Sequence, residues 1–527
     1  MTTITPFAAG SYATNRTITQ LTSLKSQLND LSGQLTSGLT AQSYGGLGTG
    51  RTTALSAQAS ISALTGYGAV IDTAQTRAKL GTTSLSEVVT VATDTNTTLQ
   101  NGLQSTSSNM QAAKSTALNN LNAALDALNQ SDGSVYLFGG TKGSVAPVVD
   151  ANTILNGTTD SSGNKLDGLT TLVSDQVTAD LGPAPASNGW LTQTNGTTTV
   201  SLTEGPYARR TGAAGAFGYS LSNITASNPT SLAVTSSGSP VTYTVGVNAQ
   251  PNAGDTLTVT LGLPDGTSTA FTLTASAGSA DPTATSSFAI GSTPAQTATN
   301  LQTTLKNALA NSAGSTLTAN AAARVSKDFF AASTDAGTTP RRVYTDPATG
   351  GPTYTYPTTT PATTVKQSVV WYKGESGPDT TARASQTYQV GSSATIQLGA
   401  RANETPIQNV LAGLATVALG IPSGSTANAS DAYQAVVNEA TPLLASAKSG
   451  HSVQDITTDF SLASARMSSA ATANTAQQNT LQNTVDGIEQ ASTEEVATRL
   501  MDLQTRLQAS YQITASLSKL SLVNYIT

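Results

Sequence analysis

The 527-residue chain has no cysteine and a single histidine, His451. Zinc–thiolate sites and cysteine nucleophiles are therefore excluded. A chain that leaves the cell unfolded gains from this absence, because it carries no thiol to oxidise or cross-link; a bias of composition would leave the same trace. A His-based metal cluster or a Ser-His-Asp triad would need His451 with convergent partners. Its neighbours in sequence supply none, so it reads as an exposed residue at a helix start. Charge is scarce too. Asp, Glu, Lys and Arg make up 10% of the residues, against roughly 25% in ordinary soluble domains. The formal net charge of −6 excludes a broadly basic nucleic-acid footprint. Ser, Thr, Ala, Asn, Gln and Gly take the place of surface charge, and such a neutral, hydrogen-bonding surface lets copies of one chain pack closely. No stretch approaches the roughly 20 apolar residues of a membrane span, so no membrane insertion is expected. The opening Met1-Thr2-Thr3-Ile4-Thr5-Pro6-Phe7 precedes a first charge at Arg16. A Sec signal needs a basic segment and then an apolar run, and neither is there. The expectation is a cytoplasmic protein or one exported without a cleaved signal.

What is present differs between the ends and the middle. Across residues 18–35, Leu21, Leu24, Leu28, Leu31 and Leu35 recur at steps of three and four. That spacing is the seam of a coiled coil or the buried stripe of a globular core helix. Four glycines, Gly45, Gly46, Gly48 and Gly50, then interrupt the pattern; so dense a run cannot sustain a helix, and it reads as a hinge. Helical patterning resumes at Arg51 through Ile61, Leu64, Ile71, Leu80, Leu85, Val88 and Leu99. A helix of that length, about 70 Å at 1.5 Å per residue, must bury its stripe against another long helix. A further helix is predicted over 112–128, and the Val135-Tyr136-Leu137-Phe138 run before Gly139-Gly140 reads as a short strand.

Residues 141 to about 400 read as strands and loops. Val241, Tyr243, Val245 and Val247 alternate with smaller or polar residues, as do Leu257, Val259, Leu261 and Leu263. Pro264-Asp265-Gly266 turns the second run towards Phe271-Thr272-Leu273, which predicts a hairpin. Thr293 as N-cap and Pro294 at N1 open a helix with Leu301, Leu305 and Leu309 on one face. Val369-Val370-Trp371-Tyr372 and residues 387–398 predict more strand, and the Thr-rich segment from Pro357 to Pro361 reads as a linker. Helices return from Pro406, over about 431–447 and over about 455–489. Ser492 and Glu495 then form a capping box, followed by Val496, Leu500, Leu503, Leu507, Leu517 and Leu520. Termini usually fray, whereas here they are strongly patterned. Charge-poor helices of this kind are marginal alone, which points to self-assembly.

Little suggests chemistry. Gly45 to Arg51 superficially resembles a phosphate loop but lacks the Gly-Lys-Ser/Thr ending and follows no strand. Glu494 and Glu495 sit at a helix start, where the helix dipole accounts for them. A glycosidase-like carboxylate pair in the middle segment stays open. Trp371 and Tyr372 could stack on a sugar, as in an adhesin, but a core position is the better reading. No enzyme, metal or cofactor is expected.

Several segments resemble the flagellin family. Gln34-Leu35-Thr36-Ser37-Gly38 is similar to the family's Leu-rich helix ending at Ser/Thr-Gly. The stretch Leu503-Gln504-Thr505-Arg506-Leu507-Gln508-Ala509-Ser510-Tyr511, with Leu517 to Tyr525, is similar to its C-terminal helix. The resemblance covers about 1–140 and 405–527. It implies an α+β multidomain chain with a long helical coiled-coil rod from both ends and a β-rich outer insert. The implied divisions are a terminal core helix (1–44), rod helices (45–140), a variable outer insert of two subdomains (141–404), rod helices (405–490) and a C-terminal core helix (491–527). It also implies assembly through Leu21, Leu24, Leu28, Leu31, Leu35, Val496, Leu500, Leu503, Leu507, Leu517 and Leu520, with copies of the same chain as partners. Hook-associated proteins and an export chaperone are further implied partners, and the implied location is an extracellular flagellum reached by type III export. Tyr136-Leu137-Phe138-Gly139-Gly140 and Ala509-Ser510-Tyr511 resemble hook-associated protein 3, the hook–filament junction. Trp371-Tyr372-Lys373-Gly374-Glu375 and Gly399-Ala400-Arg401-Ala402-Asn403-Glu404 resemble large flagellin-type proteins of alphaproteobacteria. The size of the insert favours a filament subunit; the lack of an Asn-Ser-Ala-x-Asp-Asp stretch after the first helix keeps the junction role open.

Overall fold

The computed structural model describes residues 6–104, 107–184, 187–334, 339–356, 367–423 and 428–526, so the expected linker at 357–361 lies outside the described residues. The chain is a mixed helix-and-sheet protein that divides into two compact units. One comprises 1–73, 389–395 and 466–527, and the other 74–388 and 396–465.

The first unit is built from helices. Helix α1, Pro6–Ser37, follows the leucine spacing and ends where Gly38 turns left-handed at φ +70°. The Gly38 amide donates to the Gln34 carbonyl at 2.8 Å, a glycine C-cap that explains why the Ser-Gly pair stops the helix. Helix α2 runs over Arg51–Gly102 and contributes Ala54, Ala57, Leu64 and Ile71 to this unit's buried residues. Its 52 residues correspond to about 78 Å.

The second unit holds the rest of α2 and most other elements. Its helices are α3 (Ser107–Leu128), α4 (Ala151–Asn156), α5 (Leu169–Leu181), α6 (Pro294–Ser312), α7 (Thr318–Ala331), α8 (Thr405–Gly420) and α9 (Ala429–Ala445). Two further helices follow: α10, Val453–Glu489, begins in this unit and passes into the first, and α11, Thr493–Ile526, belongs to the first. Helix α8 is buried almost all round, with every residue of Val410 to Ala418 inside; it packs on α3, α7 and α9. An apolar sequence on all faces is what such a central helix requires.

Two four-stranded sheets and α6 share one apolar core. In the first sheet, Thr256–Gly262 pairs antiparallel with both Ser220–Ala226 and Ser268–Ser276, and Ser287–Ala289 adds a parallel edge. In the second, Thr199–Thr203 lies between Thr192–Asn195 and Thr242–Val247, and Leu232–Ser237 closes the other side. The predicted hairpin is therefore present, and Leu257, Val259 and Leu261 point inward on alternate positions. Thr293 caps α6 by accepting from the Gln296 amide, with Pro294 in the first turn.

Two expected strands are absent. Residues 135–138 form no ladder: isolated bridges join Ser131 to Tyr136 and Gly139 to Arg401, while Leu137 and Phe138 are buried. Around Trp371, regular pairing is limited to Gln367–Ser368, and Tyr372 makes only single bridges to Val148 and Ser333. Both runs bury their apolar residues against helices and loops, so burial without repeated strand pairing was the outcome.

Candidate functional site

The expected assembly residues lie on α1 and α11, which pack side by side in the first unit. The link between their ends sets this pairing. The Thr40 amide donates to the Glu489 carbonyl at 2.7 Å, and the Ala491 amide donates to the Gly38 carbonyl at 2.9 Å. These bonds form an antiparallel bridge between Leu39 and Gln490, so α1 runs into it and α11 runs out in the opposite direction. Leu21, Leu24, Leu28, Leu31, Leu500 and Leu507 are half-buried, while Val496 and Leu503 are only 6% and 7% exposed. Leu35 stands 41% exposed, outside the covered stripe. The side chains of Leu517 and Leu520 lie outside the described residues.

The same two helices also carry apolar side chains that no described residue covers. Met501 is 67% exposed and Ile513 60%. Ile18 and Tyr511 are exposed as well. Single exposed apolar residues are ordinary, but several on one pair of helices are informative. Two exposed one-turn ion pairs lie on α11, Glu495 with Arg499 and Asp502 with Arg506. Such exposed pairs contribute little stability and leave the apolar positions free of charge.

The glycine run forms a tight 3-10 turn over Tyr44–Gly50, broken at Gly48, where φ is +58° and ψ −126°. A Cβ at Gly46 would lie 2.7 Å from the Ala41 Cβ, and one at Gly50 would lie 2.8 Å from Ile488 Cγ2. At Gly45 the nearest atom would be Ser43 Oγ at 3.8 Å. Gly46 and Gly50 thus stand where neighbours leave no room for a side chain, and Gly48 supplies a backbone conformation that other residues avoid.

The sugar-stacking reading of Trp371 and Tyr372 is overturned, because both rings are fully buried. The Trp371 indole donates to the Phe330 carbonyl at 2.9 Å and meets the Phe330 ring edge-on, with centroids 5.2 Å apart. The Tyr372 hydroxyl donates to the Glu375 carbonyl at 3.0 Å. His451 is exposed on the turn before α10, with Nε2 3.6 Å from the Asp379 carboxylate.

Buried carboxylates were legible only as residue types. Asp167 meets Arg342 at 2.8 Å, Glu204 meets Arg209 at 2.7 Å, Asp180 meets Arg324, and Glu404 meets Arg383. Each has an arginine partner, although burial outweighs that partner at Asp180 and Glu404 and raises both carboxyls above the usual range. Burial opposes the charge of Arg324, but Asp180 and Tyr354 outweigh it and raise the guanidinium above its ordinary value. Glu439 differs in having no arginine partner within ion-pair distance among the described residues: burial raises its carboxyl above the usual range too, and it accepts only from Asn320 Nδ2, at 3.0 Å, among the bonds of the described residues.

Among the described residues no group of His, Asp and Glu is placed to hold a metal ion, and no helix is long and apolar enough to cross a membrane. The second unit does contain clefts, including one of about 490 Å³ beside Trp190 and Arg342 and one of about 320 Å³ beside Arg210 and Lys327. No protein-family model matches the chain, and no curated protein matches it.

Proposed function

We propose that this chain is a structural subunit of the bacterial flagellum that self-assembles through its terminal helices into an extracellular filament. In this reading α1 and α11 line the filament core, the long helices form a coiled-coil rod around it, and the strand-rich segment faces outward. Copies of the chain are the main partners, with hook-associated proteins and an export chaperone as the others. The reading rests on the resemblance of the chain ends to flagellins. One observation carries it further: apolar side chains stand uncovered on the very helices that the resemblance assigns to assembly.

Met501→Asp with Ile513→Asp tests the reading. Both positions are exposed, so the monomer should fold as before. In a filament each carboxylate would be buried in an apolar contact, at a cost of several kcal/mol, repeated in every subunit by helical symmetry. Electron microscopy should show filaments of the parent protein, seeded with its own fragments, and none of the variant. Circular dichroism should be the same for both. Filaments of normal length from the variant, or a parent protein that never polymerises when seeded, would overturn the proposal. Parent protein that attaches only to the ends of other filaments would favour the junction role instead.

A further inference from the structure

The second unit carries a cleft whose charge is out of keeping with the rest of the chain. Arg210, Arg324, Lys327 and Arg341 all line a space of about 320 Å³, with Asp265 and Asp328 as its two carboxylates. The whole sequence has 24 lysines and arginines, so four around one small cleft is a concentration. Arg324 and Lys327 stand one turn apart on α7, Arg341 follows that helix, and the fold brings Arg210 to them.

The cations are held in different ways. Arg324 is anchored by Asp180, by Asn320 Oδ1 at 3.0 Å and by the Tyr354 hydroxyl at 2.8 Å. Arg341 lies over the Tyr354 ring, its guanidinium carbon 3.9 Å from the centroid, and pairs with Asp328. The other face of Tyr354 is stacked on Phe217 at 4.6 Å. A Cβ on Gly215 would come within 2.3 Å of the Tyr354 ring, so the stack is closely backed. Arg210 and Lys327 are different. Arg210 lies over the Tyr207 ring, 4.4 Å from its centroid, and donates only to the Pro352 carbonyl, at 3.3 Å. Lys327 is exposed. Neither has a carboxylate within ion-pair distance among the described residues. The cleft therefore has a rigid floor of ion-paired arginines and, at its edge, two cations with no ion-pair partner among the described residues.

We propose that this cleft binds a small carboxylated sugar of the uronic acid class. Arg210 and Lys327 take the carboxylate, for which a guanidinium fork and a mobile ammonium are complementary. Asp265 and Thr211, which also line the cleft, receive and offer hydrogen bonds to the ring hydroxyls. The volume lies at the small end of ligand sites and suits one sugar ring. A bare inorganic anion would use the cations but offers no hydroxyl for Asp265 to accept from.

Full-length protein titrated with galacturonic acid in a calorimeter, beside galactose and inorganic phosphate, tests the assignment. Galacturonic acid should bind, and its affinity should fall as salt is raised. Galactose and phosphate should each bind at least tenfold more weakly. Lys327→Gln with Arg210→Gln should weaken galacturonic acid at least tenfold while leaving the melting temperature and circular dichroism unchanged. Should that double variant unfold, Lys327→Glu alone, at an exposed position, must give the same loss. Asp265→Asn should weaken galacturonic acid and strengthen phosphate. The proposal fails if galacturonic acid does not bind, if galactose or phosphate binds equally well, or if the folded charge variants bind as the parent does.

Discussion

Gly81 lies inside α2, in the part that belongs to the second unit, where a glycine weakens the helix. Replacing an interior helical glycine with alanine normally stabilises by about 1 kcal/mol. Here the new Cβ would sit 2.4 Å from Cε1 and 2.9 Å from Cδ1 of Phe460. That ring is buried, with the Arg383 guanidinium 5.6 Å from its centroid. Arg383 is in turn fixed by Glu404 and by Asp459 at 3.4 Å, so the ring has little freedom to retreat. Overpacking of this kind costs about 1–3 kcal/mol. Gly81→Ala should therefore be net destabilising by up to about 2 kcal/mol. In a Phe460→Ala background, itself weakened by about 3–5 kcal/mol, the clash is gone and Gly81→Ala should stabilise by about 1 kcal/mol. Urea unfolding followed by tryptophan fluorescence measures this directly, because Trp190 and Trp371 both lie in the second unit. A gain in stability from Gly81→Ala in the parent protein would refute the reasoning. So would an equal loss in both backgrounds.

Trp371→Phe keeps most of the buried ring but removes the donor to the Phe330 carbonyl; it should destabilise by about 1–3 kcal/mol, measured as a lower urea midpoint, and no change would mean that this hydrogen bond contributes nothing. Asp132 accepts from the Ser134 and Val135 amides at 2.8 Å and from Arg77 at 2.6 Å. Burial alone would raise its pKa, but these bonds outweigh burial and hold the carboxyl well below the usual range. Its stabilisation is thus complete above the unfolded value near 4 and is lost as pH falls through the depressed folded value. Asp132→Asn should cost about 1–3 kcal/mol at pH 7, and urea midpoints should show the gap to the parent protein narrowing below pH 4, whereas a constant gap would contradict the assignment.

The elements legible in the sequence were those whose own residues decide them. The leucines of α1, the Ser37-Gly38 stop, the Thr293-Pro294 start of α6 and the Pro264-Asp265-Gly266 turn each carry a local physical cause. Helices α5 and α7 were missed because their buried faces include Gln176, Asp180, Asn320 and Ser326. Two of these polar residues are buried against partners from elsewhere in the chain, Asp180 with Arg324 and Asn320 with Glu439. Capping was also misjudged. At Ser492 only half of the box forms, since the Glu495 amide reaches the Ser492 hydroxyl at 3.4 Å while its carboxylate turns to Arg499. A reciprocal box stands unread at α10, where Ser452 and Asp455 each accept from the other's amide. The periodicity of the terminal helices marked their apolar stripe but did not separate covered Leu503 from uncovered Met501, because that depends on how the two helices meet. The cationic cleft was not legible, because Arg210 joins Arg324 and Lys327 of α7 only in the folded chain.

The scarcity of charge acquires a structural meaning once its placement is known. Several of the few carboxylates are inside, and the buried ones with arginine partners are committed to pairs that are costly to break: removing one partner of such a pair typically costs about 3–5 kcal/mol. Arg342 shows the commitment most fully. It is buried, donates to Asp167 and to Asp175 at 2.8 Å each, and reaches the Gln367 carbonyl at 3.2 Å. It thereby ties α5 to two separate strand segments, 165–167 and 342–345. Charges used in this way specify which segments meet, and they are subtracted from a surface that already has few. The remaining exterior is rich in Ser, Thr, Asn and Gln, which can lie against a copy of itself without the repulsion that a charged surface would bring.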